Sequence, residues 1–598
     1  RYTDEVKESE TETRVIGSVR LGIKLPMSLN FESSVGGNYT ARENNSYFPR
    51  TVYEGYGNNG LAIIANPGYQ NLVHEDLLRY QSELNPNHRI DAVGGFTYEW
   101  DRSSWLRNQV ANFPDDALGS NRLQNGLAVS PVNSDLSVNK LASWLGRVNY
   151  SLMERYLITG TLRTDGSSRF ASNNKWATFS SLGLAWRVKQ EGFLKTSKLI
   201  DDLKLRFSVG QSGNQAIAPY QSLGTIEGAT TVLNEQLVSA ASIGRLGNPN
   251  LKWETTTQSD LGLDLALFGS RLTLTGDIYN KRTTGLLQSV NLAPNTGYQS
   301  ATFNSGEVQN KGLELAADLQ VLQGSPNSLQ WGVSGTFSRN RNKIVDLGAT
   351  LQQFSNRLGA GGGLEVNPFI QKPGLPIGAI WGYRTDGVFR TAADVTSYMA
   401  VQADAKLGDY RYADTNGDGK LTNDDRTMIG DVNPSYTWGV TNRFKFRRFD
   451  ASALVTASHG NSIINSARLN FLTLNGSNGN IPKTYYENAF NPTSNPDGIY
   501  PMIRSDRSSA GRFSDAFIED GSYVRLKNVQ IGFELPDRMV NGVQRARLFV
   551  NGVNLLTSTD YTGFDPEVSA FSDVSMRGVD LGSYPQSRSF TVGLSVTF

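Results

Sequence analysis

Cysteine is absent from the 598 residues of the chain. The chain can therefore form no disulfide, no thiolate metal site and no cysteine nucleophile. An excess of charge of one sign is lacking as well, because 57 Lys and Arg are balanced by 56 Asp and Glu. A dedicated nucleic-acid binder carries a basic excess, so no nucleic-acid partner is expected.

Long hydrophobic runs are also missing. The best short run, Leu61–Ala65, is far shorter than the about 20 apolar residues of a transmembrane helix. Because only helices and closed barrels satisfy their backbone groups in lipid, the chain is either soluble or crosses a membrane as a barrel. The mean hydropathy of −0.37 is compatible with a barrel, since only alternate strand residues face lipid.

Motifs of catalysis are missing from the sequence. The three histidines, His74, His88 and His459, have no H-E-x-x-H neighbours, and the chain contains neither a G-x-S-x-G elbow nor a P-loop. We therefore predict no catalytic residue and no organic cofactor, and we expect that the chain is not an enzyme.

The pattern that is present is alternation of apolar and polar residues with a period of two, which indicates β-strands. It runs from Val15 through Leu25 at the start and from Phe590 to Phe598 at the end. Several runs last about 10 residues, which matches the about 9–11 residues of a tilted transmembrane strand and exceeds the usual about 5–6 of a soluble one. The pattern predicts about sixteen such strands.

The predicted connections have two lengths. Short turns fall at 153–155 and 268–270, and long connections at 39–90, 102–140, 212–256, 341–434 and 460–521. Short periplasmic turns and long extracellular loops are typical of outer-membrane barrels. We therefore predict an all-β fold, a large antiparallel transmembrane β-barrel with long extracellular loops. A large soluble all-β protein is the alternative.

One loop carries a calcium-binding pattern. The predicted ligands are Asp414, Asn416, Asp418, Lys420 (through its carbonyl) and Asp425. The spacing matches D-x-[DN]-x-[DN]-G-x5-E except that Asp replaces the final Glu. Calcium prefers six to eight hard oxygen ligands, so the loop is expected to hold a structural Ca2+ or Mg2+. The alternative is an ordinary solvated turn.

Aromatic residues in the predicted loops are candidates for contact with a substrate or a lid protein. They are Trp381, Tyr383, Phe389, Tyr410 and Tyr412 in the 341–434 segment, and Tyr485 and Tyr486 in the 460–521 segment. Exposed rings could stack on sugars or grip peptides. Packing of the loops on one another explains the same residues equally well.

Several motifs, taken in order, resemble the SusC/RagA family of TonB-linked outer-membrane proteins. They are residues 163–170 (RTDGSSRF), 247–254 (GNPNLKWE), 304–315, 377–389 (IGAIWGYRTDGVF), 414–434, 519–536, 548–556 and 559–567. Each motif alone is modest, but the order is specific and covers the chain nearly end to end.

The resemblance implies a barrel of about 22 strands, an N-terminal plug and a TonB box. It also implies a SusD-like surface lipoprotein as a lid, and uptake of oligosaccharides, peptides or similar nutrients driven by TonB. The expected location is the outer membrane of a Gram-negative bacterium of the Bacteroidota type, in contact with outer-membrane lipid.

The domain organisation that follows is one barrel domain over residues 1–598, with an extracellular loop segment at 341–434 that contains the cation loop 414–425. Because no plug or TonB box is recognisable before residue 14, we expect the plug and the first strands to lie outside this sequence. Two other functions stay open: a SusC-like docking subunit of a secretion or assembly complex, and a passive porin.

Overall fold

The computed structural model describes most of the chain. The described residues are 2–129, 132–298, 300–325, 327–348, 352–354, 358–359, 365–468, 480–503, 512–536 and 542–597. They group into two compact units. The first unit comprises Arg1–Trp186, Phe207–Gln258 and Thr283–Ser305, and the second comprises Arg187–Arg206, Ser259–Arg282 and Gly306–Phe598.

Long antiparallel strands dominate both units, which confirms the predicted all-β fold. Seventeen strands of nine or more residues lie in the described part of the chain: β1 (Lys7–Leu25), β2 (Leu29–Phe48), β3 (Gly68–Asn85), β4 (His88–Ala111), β5 (Asn133–Leu152), β6 (Tyr156–Ser167), β7 (Trp176–Arg187), β8 (Ile200–Asn214), β9 (Glu254–Leu267), β10 (Leu272–Thr284), β11 (Glu307–Leu322), β12 (Gln330–Asp346), β13 (Tyr436–Phe446), β14 (Phe449–His459), β15 (Tyr523–Glu534), β16 (Arg545–Thr559) and β17 (Ser589–Thr597).

In the first unit, successive long strands pair as an antiparallel meander in which short turns alternate with longer connections. β1 pairs with β2, β2 with β3, β3 with β4, β4 with β5, β5 with β6, and β6 with β7, all antiparallel. The turn between β5 and β6 has positive φ at Met153 (53°) and Glu154 (54°). This is the two-residue turn that suits the right-handed twist of a hairpin, and it falls at the predicted 153–155 turn.

The second unit repeats this arrangement. β11 pairs with β12, β12 with β13, β13 with β14, β14 with β15, β15 with β16, and β16 with β17, again antiparallel. The register of β16 on β17 runs from Arg545 opposite Thr597 to Val553 opposite Ser589. The C-terminal alternation is therefore a strand, as predicted.

The two faces of these strands differ in chemistry. In the first unit, Leu162 is 54% exposed although polar Thr161 and Arg163 flank it. In the second unit, Leu315 is 45% exposed beside Glu314. Because side chains alternate across a strand, each sheet has a row of exposed aliphatic residues on one face and polar residues on the other. Such rows suit contact with lipid on one side and water on the other.

Two of the expected long connections are wrong. The 39–90 segment contains β3 and the end of β2, and the 102–140 segment contains the end of β4 and the start of β5. The strand residues in these segments are often polar or charged, such as Glu75, Asp76 and Arg107. The hydrophobic alternation fades there although the ladder of backbone hydrogen bonds continues. The seventeen long strands of the described residues nevertheless agree with the predicted number of about sixteen.

Short strands and helices occupy the connections. The short strands are Leu61–Ala65, Leu127–Ala128, Ile226–Leu233, Gln236–Ile243, Leu287–Asn291, Ser300–Asn304, Gln353–Phe354, Leu358–Gly359, Glu365–Val366, Phe369–Gln371, Ala379–Gly382, Thr385–Val388, Tyr410–Tyr412, Thr427–Asp431, Ser462–Asn465, Ile518–Asp520 and Val579–Asp580. α-Helices in the described residues include Tyr2–Glu5 before β1, and Tyr53–Tyr56, Ala392–Tyr398 and Lys483–Asn488 in the connections. Within the described residues, no helix has the length and apolar character needed to cross a membrane.

Candidate functional site

The connections of the second unit pack together around a hydrophobic cluster, here called the loop core. Its buried members come from the segments 347–435, 460–522 and 560–588, and they are Phe369, Ile380, Ile464, Tyr485, Phe513, Phe517, Met576 and Val579. Phe517, Ile464 and Val579 are fully buried. Burying apolar side chains from three separate connections fixes these segments against one another.

A second cluster lies in the same connections and contains three of the seven predicted contact aromatics. Tyr383, Val388, Tyr410, Tyr412 and Phe490 are buried against one another. Burial raises the pKa of both Tyr410 and Tyr412, so their hydroxyls stay neutral at physiological pH. These tyrosines serve as packing residues of the loops.

The remaining predicted aromatics differ in exposure. Phe389 and Tyr485 are also buried, whereas Trp381 is partly buried with the Lys372 ammonium 5.4 Å from its ring centre. Tyr486 is 72% exposed. Burial of five of the seven favours the packing interpretation for those five. Contact with a substrate or lid stays a prediction for Tyr486 and Trp381.

The loop at 414–425 is shaped by its own side-chain oxygens. Asp414 Oδ1 accepts a hydrogen bond from the Gly417 N–H (2.7 Å), and Oδ2 accepts one from the Gly419 N–H (2.8 Å). These backbone donors, Gly419 first, hold the pKa of the Asp414 carboxyl below its ordinary value. Asn416 Oδ1 accepts from the Asp418 N–H at 2.9 Å. The first half of the loop thus curls around its acidic residues.

The second half of the loop closes on a buried carboxylate. Asp425 has no exposed surface. Its Oδ1 accepts from the Thr415 N–H at 2.9 Å and its Oδ2 from the Thr422 N–H at 2.7 Å. The Lys420 N–H donates to Asp418 Oδ1 at 2.8 Å. Asp425 therefore joins the two ends of the loop.

The oxygen atoms of this loop are of the chemical type that a hard cation prefers as ligands. Carboxylate and amide oxygens have two lone pairs each, so an oxygen that accepts one N–H can still bind a cation. Within the described residues, however, no three His, Cys, Asp or Glu side chains are gathered closely enough to hold a metal ion. The loop supplies the right ligands, but cation binding would have to draw its carboxylates together.

A buried arginine ties strand β15 to the connection that follows β16. Arg525, which is 1% exposed, donates to Asp565 Oδ1 at 2.7 Å and to the Thr557 hydroxyl at 2.9 Å. It also donates to Glu567, which in addition accepts from Lys527 at 3.0 Å. Sequence reasoning recognised the two motifs that carry these residues but not their pairing.

Glu567 stays ionised in this arrangement. Burial raises the pKa of its carboxyl, but hydrogen bonds from Tyr523 and Lys527 and the charge of Arg525 outweigh burial and lower the pKa below the ordinary value. Glu567 also lines a cavity of about 710 Å³ in the second unit, together with hydroxyl-bearing residues such as Thr336 and Thr456. The cavity is thus lined by hydroxyl groups and by at least one ionised carboxylate.

The histidines do not form a site. His74 Nε2 lies 2.9 Å from Asp76 Oδ2, and His88 and His459 each pack against a tyrosine ring. The three lie on different strands, β3, β4 and β14.

Comparison with known proteins identifies the fold. Residues 16–555 match the family model described as TonB dependent receptor-like, beta-barrel. The chain is 34% identical over 578 residues to TonB-dependent receptor P3 of Formosa agariphila, covering 95% of this chain and 56% of the relative. It is 28% identical over 607 residues to TonB-dependent receptor SusC of Bacteroides thetaiotaomicron, covering 98% of this chain and 56% of that protein.

A solved structure shows the same fold. The structure of the RagAB peptide transporter superposes with a TM-score of 0.85 at 22% identity and covers 100% of this chain and 63% of the other. The chain thus spans a little over half the length of the curated relatives it matches. The family model, the order of the sequence motifs and the strand architecture all agree. The chain therefore belongs to the TonB-dependent receptor β-barrel family of the SusC/RagA type.

Proposed function

We propose that this chain is the barrel portion of a TonB-dependent importer in the outer membrane of a Gram-negative bacterium. The match of residues 16–555 to the receptor barrel family carries this proposal. The exposed aliphatic rows of both units, such as those containing Leu162 and Leu315, support a position in lipid. The cargo is an oligosaccharide, a peptide or a similar nutrient.

The energy source and the partners follow from the relatives. TonB would drive uptake through a plug and TonB box, for which this chain supplies the surrounding wall. A SusD-like surface lipoprotein would cover the loop core side of the second unit. The packed loops support this role, because a lid closes more reliably on a surface whose elements are fixed. Tyr486 and Trp381 are the proposed contact residues.

We also propose that the 414–425 loop binds a structural Ca2+ or Mg2+. Asp414, Asn416 and Asp418 would supply side-chain oxygens, Lys420 its carbonyl and Asp425 the last carboxylate. The backbone hydrogen bonds that already bend the loop around these residues support the proposal. The cation would stiffen an external loop and take no part in transport chemistry.

The test of import uses the whole receptor in its native outer membrane. A deletion strain, the complemented strain and a complemented strain without TonB are grown on oligosaccharides or on peptides as the sole nutrient. We expect growth on one nutrient class to need both the receptor and TonB. Growth that needs the receptor but not TonB would support the porin. Unchanged growth with stable co-purification of secretion machinery would support the docking subunit.

A further inference from the structure

The apolar face of the first unit is interrupted by an ionisable pair on β3. His74 forms no site with the other two histidines, but its Nε2 lies 2.9 Å from Asp76 Oδ2, and both side chains are 35% exposed. Leu72 and Leu78 on the same strand are exposed as well. Side chains two residues apart along a strand lie on the same face, so the pair sits in a row that otherwise suits lipid. Ionisable side chains in such a position are costly and mark a functional contact by default.

The strand registers confirm the face on which the pair lies. His74 is opposite Tyr98 of β4, and Asp76 is opposite Phe96. The ring of Phe96 lies 4.7 Å from the ring of Trp144 on β5, and Trp144 is exposed. Directly opposite residues of a ladder share a face. The pair therefore belongs to the exposed apolar surface and not to the polar face of these strands.

The pair retains hydrogen-bonding capacity for a group from the membrane. The Ser33 side chain, opposite Asp76 on β2, forms a hydrogen bond with the same carboxyl group. In the part of the chain that the structure describes, no hydrogen bond reaches the second ring nitrogen of His74. A plain hydrocarbon chain offers this nitrogen neither a donor nor an acceptor. A hydroxyl group on an acyl chain offers both.

Two basic side chains lie on the same face, nearer the external end of the strands. Arg102 follows Tyr98 by four residues on β4, and Lys140 is opposite Trp100 on β5. Both are exposed, and neither forms an ion pair with a described residue. The turn between β3 and β4 is short, as periplasmic turns are, so Arg102 points to the external side. Along β4, Arg102 lies about 13 Å from the level of His74.

A strip without side chains lies beside the pair. Gly94 of β4 and Gly146 of β5 are directly opposite each other, and a Cβ on Gly146 would meet no atom within 4 Å. Phe96 and Trp144 border this strip two residues further along each strand. An acyl chain can lie on the bare backbone against the two rings, because small residues allow close approach to a surface in lipid.

We propose that this face binds one anionic glycolipid of the membrane, with phosphate on its head and hydroxyl groups on its acyl chains. Arg102 and Lys140 bind the phosphate, the strip at Gly94 and Gly146 holds a chain, and His74 binds a chain hydroxyl. The proposal rests on the proposed position of the chain in the outer membrane. It adds a bound lipid to the import function.

The test measures lipid binding to the purified full-length receptor in detergent by native mass spectrometry. The probes are lipid A, which carries phosphate and hydroxylated chains, lipid A without its phosphates, and phosphatidylglycerol, which is anionic but has plain chains. We expect lipid A to bind about tenfold or more tightly than either other probe, because each of those lacks one of the two polar contacts. Phosphatidylglycerol binding as tightly as lipid A would overturn the proposal.

Two double variants separate the contacts. Arg102→Gln with Lys140→Gln should weaken binding of lipid A about tenfold and leave binding of the dephosphorylated form unchanged. His74→Leu with Asp76→Leu should weaken binding of both forms of lipid A, because the chain hydroxyl loses its partner. Lipid A binding that is unchanged in both double variants would overturn the proposal.

The matched controls are Arg107→Gln and Glu75→Gln, which lie on the same strands but face the other side. Both should bind lipid A as the parent does, and equal losses in the controls would contradict the assignment. A lipid-free receptor dimer that the His74→Leu and Asp76→Leu variant disrupts would assign this face to a second copy instead. A receptor that fails the growth test can still prefer lipid A, and an importer can lack this preference, so the two proposals fail separately.

Discussion

Arg525 and Asp565 form an ion pair in which both side chains are almost fully buried, with 2% and 6% exposure and 2.7 Å between Nη2 and Oδ1. The pair joins β15 to the connection between β16 and β17. Asp565 Oδ1 also accepts from the Glu567 N–H and Oδ2 from the Gln586 N–H. The Asp565 carboxylate thus binds groups at three separate positions of the second unit, 525, 567 and 586.

Removing one partner of this pair should destabilise the connection strongly. Asp565→Ala removes one of the two carboxylates that pair with the buried Arg525 guanidinium, and losing a partner of a buried charge costs up to about 3–5 kcal/mol. We expect faster proteolysis within 560–588 and a lower urea midpoint. The control is Glu487→Gln in the exposed Lys483–Glu487 pair, which should change stability by less than about 1 kcal/mol. Equal changes of the urea midpoint in the two variants would show that the buried pair stabilises the protein no more than the exposed pair does.

The exposed aliphatic rows predict an asymmetry between neighbouring residues of β11. Leu315→Arg places a charge on the apolar face and should cost about 2–4 kcal/mol if it lies near the bilayer midplane. Ala316→Arg, one position on, faces the side of Glu314 and Asp318 and should be tolerated. The measurement is the urea-unfolding free energy in lipid vesicles. Similar losses in both variants would contradict the assignment of the two faces.

The loop core predicts different roles for two aromatic residues of the connections. Phe517 is fully buried, so Phe517→Ala should lower stability by about 3–5 kcal/mol and expose the loops to protease. Tyr486 is exposed, so Tyr486→Ala should leave stability unchanged and weaken binding of the lid or cargo. A Tyr486→Ala receptor with unchanged transport and lid binding would remove Tyr486 from the proposed contact residues.

Two carboxylates of the loop at 414–425, Asp418 and Asp425, are expected to have different roles. Asp425 holds the Thr415 and Thr422 N–H groups, so Asp425→Ala should increase cleavage within 413–426 with or without calcium. Asp418 is exposed. In the presence of calcium, Asp418→Ala should therefore be cleaved faster than the parent protein. Chelation of calcium should abolish this difference between the two proteins. If neither chelation nor Asp418→Ala changes cleavage of the parent loop, no cation binds there.

The same loop should loosen in acid. The pKa of Asp414 is lower in the folded protein than in the unfolded chain. Its stabilising contribution is therefore full above about pH 4 and is lost as the pH falls through the folded value. Pepsin cleavage within 413–426 in calcium-free buffer should rise as the pH falls below that point. The rise should be smaller in Asp414→Asn, because an amide does not titrate, and an equal rise would exclude this role of Asp414.

The sequence by itself determined the strand architecture and the family. Alternation with a period of two is a local property, because each side chain of a strand faces one of two environments. This alternation predicted the hairpin turn at 153–155 and the C-terminal strand, because neither prediction depends on contacts between distant segments. It failed along the whole of β3 and at the end of β4, where backbone pairing continues although the hydrophobic signal is weak.

The tertiary structure alone decided which side chains are available for binding. Tyr412 and Tyr486 look alike in the sequence, yet one is 1% and the other 72% exposed. Arg525 and Asp565 are 40 residues apart, and no local pattern predicts their pairing. Burial and pairing arise from contacts between distant segments, and a single sequence does not reveal them.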